Sequence, residues 1–384
     1  ISAMGKTTNA IEKALANFRA NNGHLEITAL SEIIEYHENI MTDLFEGNTS
    51  HPIFETMTNL FLDLYLNLQE TGFDYDYQYD NTVSFGEMLS TTLISAYLNE
   101  CGIRNELIDA RDYIVTDHGF RSANPEWDDC RLRIEKLKSN ESVMYITQGF
   151  IASSVSPKTT TTLGREGSDF SAAIFANCLD AEELTIWKDV DGLRNADPKR
   201  FADTKKISHL SYFEAIELAF YGASVIHPKT LKPLQNKNIP LKVRSFLDIG
   251  LEPTIIDGTK DYIEYVPSFI VKEKQTLMSI TPRDYSFMNE HNRALIFNVM
   301  DELNIHANMT QISALVLSIC FDENEKKRLQ LTEALSQSFK IKYNDGLQLF
   351  TIRHYYEGLE KDFIQGKNIY VEQRSRSTYQ IVTD

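Results

Sequence analysis

The chain has 384 residues, with 55 acidic against 38 basic side chains and a formal net charge of −17 at pH 7. That balance excludes a protein whose affinity comes from Lys and Arg on nucleic-acid phosphates, and equally one held on an anionic lipid surface. A hydrophobic fraction of 42% beside 24% charged residues excludes a disordered polymer, and the length calls for two or three domains.

No apolar run approaches the ~18 residues of a membrane span. The opening Ile1-Ser2-Ala3-Met4-Gly5-Lys6 has no basic stretch followed by an apolar one, so no secretory leader is expected. Cys101, Cys130, Cys178 and Cys320 stand apart, and the nine histidines form no HxxxH or HExxH. Reduced thiols, a cytoplasmic location and no protein-built metal site are the expectation.

In chain order, Ser2 to Asn9 reads as the end of a buried strand turning into a helix over Ile11 to Phe18. Two apolar stripes follow, Ile33 to Phe45 and Ile53 to Leu68, both at helical spacing, giving a helical subdomain over about residues 20–80. Phe73 to Asp80 alternates aromatic and acid and reads as a strand face or an exposed loop. Ser84-Phe85-Gly86-Glu87 matches a capping box opening a helix to Leu98. Strands are expected at Ile103 to Asp109, Ser142 to Ile151 and Leu184 to Trp187, with helices at Ser168 to Leu179 and Tyr212 to Phe220. Such alternation signals a mostly parallel α/β sheet. Beyond Val266 the pattern changes to short strands at Gln275 to Ile280, Leu315 to Cys320 and Leu347 to Ile352. Helices at Arg293 to Leu303 and Glu323 to Phe339 sit among them, as in a ferredoxin-like α+β unit. A second, reduced unit would use Tyr355 to Gly366 as helix and Asn368 to Glu372 and Thr378 to Val382 as strands.

Three stretches carry chemistry. Thr159-Thr160-Thr161-Thr162-Leu163-Gly164-Arg165-Glu166-Gly167-Ser168-Asp169 lies between a strand and a helix. Its glycines admit close backbone approach, the helix start attracts anions, and Arg165 can grip a carboxylate or phosphate with two parallel bonds. The same residues also read as a turn with Ser168 or Asp169 as a plain cap. Trp187 to Lys199 follows a strand at the end where open sheets bind ligands. From Arg194 to Lys206 five basic residues face two acidic ones, a local +3 suited to polyphosphate, or else an ordinary solvated loop. Glu87, besides its capping role, would sit at the lip of the sheet where a carboxylate can hold a ligand ammonium.

Taken together, Thr-Thr-Leu-Gly-Arg-Glu-Gly-Ser-Asp and Trp-Lys-Asp-Val-Asp-Gly-Leu-Arg-Asn-Ala-Asp-Pro resemble the amino-acid kinase superfamily. With Ser2 to Asn9, Val83 to Glu87 and Tyr221 to Pro228, the chain resembles the aspartokinases over essentially its whole length. The resemblance implies an α/β amino-acid-kinase sandwich over residues 1–265 and an α+β ACT regulatory region over 266–384. It implies phosphorylation of L-aspartate to 4-phospho-L-aspartate with ATP and Mg²⁺, for lysine, threonine and methionine biosynthesis. By position, Thr8, Glu87, Arg165, Ser168 and Asp169 would line the aspartate site, with Arg165 and Asp169 the catalytic pair. Lys188, Asp189, Arg194, Lys199 and Ser224 would serve ATP. Met288, Ile305, His306 and Asn308 would meet a lysine or threonine effector, and the ACT region would pair copies of the chain into a homodimer or larger homo-oligomer.

The sequence departs from the family pattern at several points. The opening Lys-Phe-Gly-Gly of the family is absent, which predicts low activity for the chain as it stands. Ser224 replaces a common lysine that Lys229 would have to supply, Glu166 replaces a glycine, and Asn308 replaces an acid that would pair with an effector amine. Two other readings remain at this point: another amino-acid kinase, such as a glutamate 5-kinase, or a catalytically impaired amino-acid sensor.

Overall fold

The apolar stripes near the start fold as helices α1 (Thr7–Ala20), α2 (Ile27–Leu44) and α3 (Pro52–Leu68). They bury Ile11, Leu15, Ile33, Met41, Met57 and Leu64 in one cluster. The computed structural model describes residues 1–21, 27–139, 143–223, 226–259 and 265–384. It divides into Ile1–Ile186 with Ile226–Lys242, and Trp187–Val225 with Val243–Asp384.

The aromatic–acid alternation at Phe73 to Asp80 is neither strand nor loop: it is helix α4 (Tyr75–Val83). Asp74 caps it by accepting from the Asp76 N–H at 3.0 Å, and Gln78, Asp80, Thr82 and Val83 point inward. A polar side chain can face the core when donors await it, so apolar periodicity alone could not show this helix. Helix α5 (Phe85–Glu100) follows at once, and Ser84 has helical backbone angles. The capping box therefore does not form: the Ser84 hydroxyl donates to the Asn81 carbonyl at 2.7 Å, and Glu87 turns to another donor.

Strand β1 (Asn105–Ile108), helix α6 (Ala110–Tyr113), strand β2 (Val115–Thr116) and helix α7 (Trp127–Ile134) come next. The apolar run expected as one strand to Ile151 is two, β3 (Met144–Thr147) and β4 (Ile151–Ser154). Gln148-Gly149-Phe150 breaks it, with Phe150 at φ +65°; residue 142 lies outside the described residues. Strand β5 (Thr160–Thr162) then leads to helix α8 (Gly167–Leu179). Pairings β1–β3 and β2–β4 are parallel and β4–β5 is antiparallel.

Strand β6 (Leu184–Lys188) leads to β7 (His209–Ser211), helices α9 (Tyr212–Tyr221) and α10 (Pro228–Lys237), and strands β8 (Leu241–Ser245) and β9 (Thr254–Asp257). β7 and β9 are parallel.

The last third is α+β, with strands longer than the sequence suggested. β10 (Ser268–Pro282), α11 (Glu290–Glu302), β11 (Ala307–Ile312), β12 (Leu317–Asp322), α12 (Glu325–Leu335) and β13 (Phe339–Arg353) follow the βαββαβ order. Helix α13 (Lys361–Ile364), far shorter than the Tyr355 to Gly366 expectation, and strands β14 (Ile369–Arg374) and β15 (Thr378–Thr383) complete the chain. The six strands lie in the order β11-β12-β10-β13-β15-β14, every pair antiparallel. β10 and β13 each span 15 residues and serve two ferredoxin-like sets. Register shifts between Lys272 and Leu277 mark where one set passes into the other.

Candidate functional site

The opening residues thread between α5 and the β3–β4 break. The Ile1 amine donates to the Thr147 carbonyl at 2.9 Å, and the Gly149 N–H returns to the Ile1 carbonyl at 2.8 Å. From α5 the Ser90 hydroxyl holds the Ser2 carbonyl at 2.8 Å, and Glu87 Oε1 accepts from the Ala3 N–H at 3.3 Å. Gly86 lies so close to Thr8 that a Cβ there would stand 3.2 Å from the Thr8 hydroxyl. Gly149 lies closer still to Ser168, where a Cβ would fall 2.7 Å from both Cβ and Oγ. Thr8, Glu87 and Ser168 are thus gathered around one segment. Gly149→Ala is expected to push the start of α8 away and lower stability by about 1–3 kcal/mol, as overpacking does; a urea midpoint equal to wild type would contradict this packing.

The turn before α8 is built by backbone shape. Gly164 has φ +81° and sits where a Cβ would stand 3.0 Å from the Arg121 carbonyl. Glu166 is left-handed at φ 54° and caps the helix without a side-chain bond, so neither Ser168 nor Asp169 is the cap. The turn closes on its own backbone, the Gly167 N–H donating to the Gly164 carbonyl at 2.9 Å. Arg165 is exposed and has no hydrogen-bond or ion-pair partner among the described residues, while Asp169 stands in the first turn of the helix. The Phe150 N–H donates to the Ser171 hydroxyl at 2.9 Å and so pins the strand break to the helix.

Electrostatics single out two carboxyls. Burial drives Glu87 up to about 7, against the Ala3 N–H, and its Oε2 has no hydrogen-bond partner among the described residues. An ammonium arriving there would draw out the charged form. Asp80 is fully buried and was not singled out in the sequence. It accepts from the Arg121 N–H at 3.0 Å, the Thr162 N–H at 2.8 Å and the Thr162 hydroxyl at 2.7 Å. Burial still lifts it to about 6. Asp80 clamps the end of β5 to the loop that Gly164 packs against, so it positions the Arg165 turn. The sequence signal for the other overlooked residues was the glycine of Thr147-Gln148-Gly149-Phe150, since glycine inside a strand marks a break or a close approach. Burial lowers His227 below the usual imidazole range; Glu166 opposes this, while Lys229 and Arg165 reinforce it. Lys229 donates to the Ser122 hydroxyl at 2.9 Å.

In the second unit, Lys188 ends β6 half-buried, and Asp189 and Lys199 are exposed. Arg194 is committed locally: it forks onto Asp191 at 3.1 and 2.8 Å and donates to the Thr204 carbonyl and hydroxyl at 2.9 and 2.8 Å. Arg200 pairs with Glu273 at 2.9 Å, and the Lys206 amine bonds the Glu252 carbonyl. The +3 island is therefore partly neutralised by Asp191 and Glu273, which lie outside the stretch that was counted. Lys199 and Lys205 keep exposed side chains. Ser224 lies outside the described residues.

In the α+β last third Met288 and Ile305 belong to the packed core, and His306 is exposed. Asn308 is engaged on both amide atoms. Its oxygen accepts from Lys272 Nζ at 2.7 Å, and its nitrogen donates to Gln275 and Asp322 at 2.8 Å each. This polar knot sits at the register shift in β10.

The parallel α/β pairings and the glycine turn opening α8 define an α/β fold, to which an antiparallel α+β region of ACT-like topology is attached. Residues 1–245 match the model of the amino acid kinase family, and the chain belongs to that family. Aspartokinase 3, chloroplastic, of Arabidopsis thaliana is 30% identical over 339 residues, covering 85% of this chain and 59% of its own. The bifunctional aspartokinase/homoserine dehydrogenase 2, chloroplastic, of Zea mays is 27% identical over 354 residues, covering 88% and 38%. The chain thus spans less than two thirds of the length of these curated relatives. Among solved structures, E. coli aspartokinase III in complex with aspartate and ADP superposes with a TM-score of 0.85 at 24% identity, covering 100% of this chain and 88% of that one. The aspartate kinase of Clostridium acetobutylicum gives 0.73 at 20%, with 100% and 88% covered. These likenesses bear out the fold. Among the described residues no helix is long and apolar enough to cross a membrane.

Proposed function

We propose that this protein is an aspartokinase, transferring the γ-phosphoryl group of ATP to the β-carboxylate of L-aspartate and forming 4-phospho-L-aspartate for lysine, threonine and methionine synthesis. The observation that carries the reading is the gathering of Thr8, Glu87 and Ser168 around the opening segment, with Arg165 exposed and without a partner among the described residues on the turn before α8. In this reading Arg165 forks onto the α-carboxylate and Glu87 balances the ammonium. Thr8 and Ser168 complete the polar walls, and Asp169 orients the cations around the reacting groups.

The β-carboxylate, with an ordinary pKa of about 3.9, is already ionised and needs no base. Its oxygen bonds to the γ-phosphorus as the bond to the β-phosphate oxygen breaks, ADP carries the leaving charge, and no proton moves. ATP with Mg²⁺ supplies the phosphoryl group and part of the charge that lets two anions meet. In this reading Lys188, Asp189 and Lys199 serve the nucleotide, as the family resemblance implies, with Arg194 shaping their loop. Among the described residues no cluster of three His, Cys, Asp or Glu could hold a metal, so Mg²⁺ is assigned to the triphosphate. Residues 1–265 form the catalytic part and 266–384 an ACT part that pairs copies of the chain and takes a lysine or threonine effector near His306 and Asn308. The four free cysteines fit a protein that works in a cytoplasm-like compartment with reduced thiols.

Two experiments test this. Trapping the acyl phosphate with hydroxylamine should yield aspartyl hydroxamate from L-aspartate and none from L-glutamate; glutamyl product alone, or no product with either, would refute it. The aspartate KM should rise about tenfold from pH 8 to pH 6, because a Glu87 carboxyl near 7 loses its charge in that window. Glu87→Gln should raise KM at pH 8 and flatten the profile, and an unchanged profile would remove Glu87 from the site.

A further inference from the structure

Helices α7, α8 and α10 enclose a cleft of about 500 Å³ that the proposed reaction does not use. Its walls are Asn124, Pro125, Trp127 and Arg131 on one side, Phe170 and Asn177 on α8, and Lys229, Lys232, Pro233, Asn236 and Lys237 on α10. Four cations line it and no carboxylate does, in a chain carrying −17. Cations converge on one concave surface at a cost in mutual repulsion, which an anionic ligand relieves.

The four are held differently. Lys237 bonds the Asn177 carbonyl at 2.7 Å and pairs with Asp180 outside the lining, and Arg131 donates to Asn177 at 3.2 Å and pairs with Glu135 at 3.8 Å, also outside it. These bonds fix two charges on the wall. Lys229 is anchored to Ser122. Lys232 is exposed and has no hydrogen-bond or ion-pair partner among the described residues. Trp127 is 36% exposed, and Pro125, Phe170 and Pro233 extend an apolar wall beside it. The volume falls within the roughly 300–1,000 Å³ of small-molecule sites. Phe170 to Asn177 spans about two turns of α8, so the cleft runs along the helix flank and away from the turn at its start.

We propose that this cleft binds a phosphorylated ligand with a planar ring, of the size of a nucleoside monophosphate. The phosphate is met by Lys232, the cation with no partner among the described residues, with Lys229 and Lys237 adding positive potential from the two ends of α10, and the ring lies against Trp127. Such a site would give the chain a second anion-responsive surface, independent of the aspartate pocket and of the ACT region.

The chain has two tryptophans, so Trp187→Phe leaves Trp127 as the sole reporter. AMP and inorganic pyrophosphate are titrated separately into that variant without aspartate, following indole emission. The expected result is a saturable change with AMP. Its dissociation constant should rise at least about tenfold on adding Lys232→Glu, and severalfold at high salt, since the cations are solvent-facing. Pyrophosphate should bind more weakly. No response to AMP, or a response untouched by Lys232→Glu, would overturn the site; pyrophosphate binding as tightly as AMP would overturn the ring contact. Lys232→Glu should leave aspartyl hydroxamate formation unchanged. An AMP titration that holds while no hydroxamate forms would sink the kinase reading and leave the cleft standing.

Discussion

Replacing Arg165 with alanine is expected to weaken L-aspartate binding by about 100-fold, while the melting temperature stays within about 2 °C of wild type. The affinity term follows from the loss of a two-pronged bond to a carboxylate, in which each charge-assisted hydrogen bond is worth about 1.5–3 kcal/mol. The stability term follows from the position: Arg165 is exposed and bonds to nothing among the described residues, so the fold does not depend on it. Arg165→Lys should recover only part of the affinity, because an ammonium cannot reproduce the planar fork. Calorimetric titration beside a thermal melt separates the two effects. Unchanged affinity, or lost affinity with a collapsed melt, would deny Arg165 the role of a ligand clamp.

The largest stability effect is expected at Glu214 on α9. Its carboxylate is buried and accepts from Arg353 Nε and Nη2 at 3.1 and 3.0 Å and from His354 Nε2 at 2.7 Å. Arg353 is also buried and spends Nη1 on the Ser377 and Thr378 hydroxyls at 2.7 and 3.0 Å. Burial alone would raise the Glu214 carboxyl, but the bonds from His354 and Arg353 outweigh it and hold it below the usual range. Glu214→Ala leaves the buried guanidinium with only the half-exposed Glu217, at 3.7 Å, as a carboxylate partner, so the loss is expected at the lower end of the ~3–5 kcal/mol of a broken buried pair. The wild-type contribution is present above the ordinary glutamate pKa and is lost as pH falls through the depressed value, so it fades below about pH 4.5. Urea unfolding at pH 7 should show the loss, and Glu214→Leu with Arg353→Met should recover most of it. A single variant as stable as wild type would mean that solvent already screens the pair.

Much of this fold was legible because apolar spacing and core position coincide. Ile11 to Phe18, Ile33 to Phe45 and Ile53 to Leu68 bury the faces their periodicity marks. The turn at Gly164 to Asp169 was legible because its glycines answer to backbone demands visible in sequence. Helix α4 was not: its inward face carries Gln78, held by Arg19 and the Glu70 carbonyl, and Asp80, held by Arg121 and Thr162, all partners from other segments. Ser84 to Glu87 satisfied a local capping pattern, yet the Ala3 N–H, 84 residues away, claimed the carboxylate. Arg194 looked like a phosphate ligand in a basic run, and the fork onto Asp191 shows that a charge count over one window ignores the acid just outside it. Site residues were read by type and spacing; which of them remain free is a property of the packed chain.

The most direct test of the account is titration of the intact chain with L-aspartate, watched by calorimetry, for wild type and Arg165→Ala. The account predicts saturable one-to-one binding, proton release near pH 7 as Glu87 ionises against the ammonium, and loss of the signal in the variant. Identical heats in the two proteins, or none with L-aspartate in either, would contradict it.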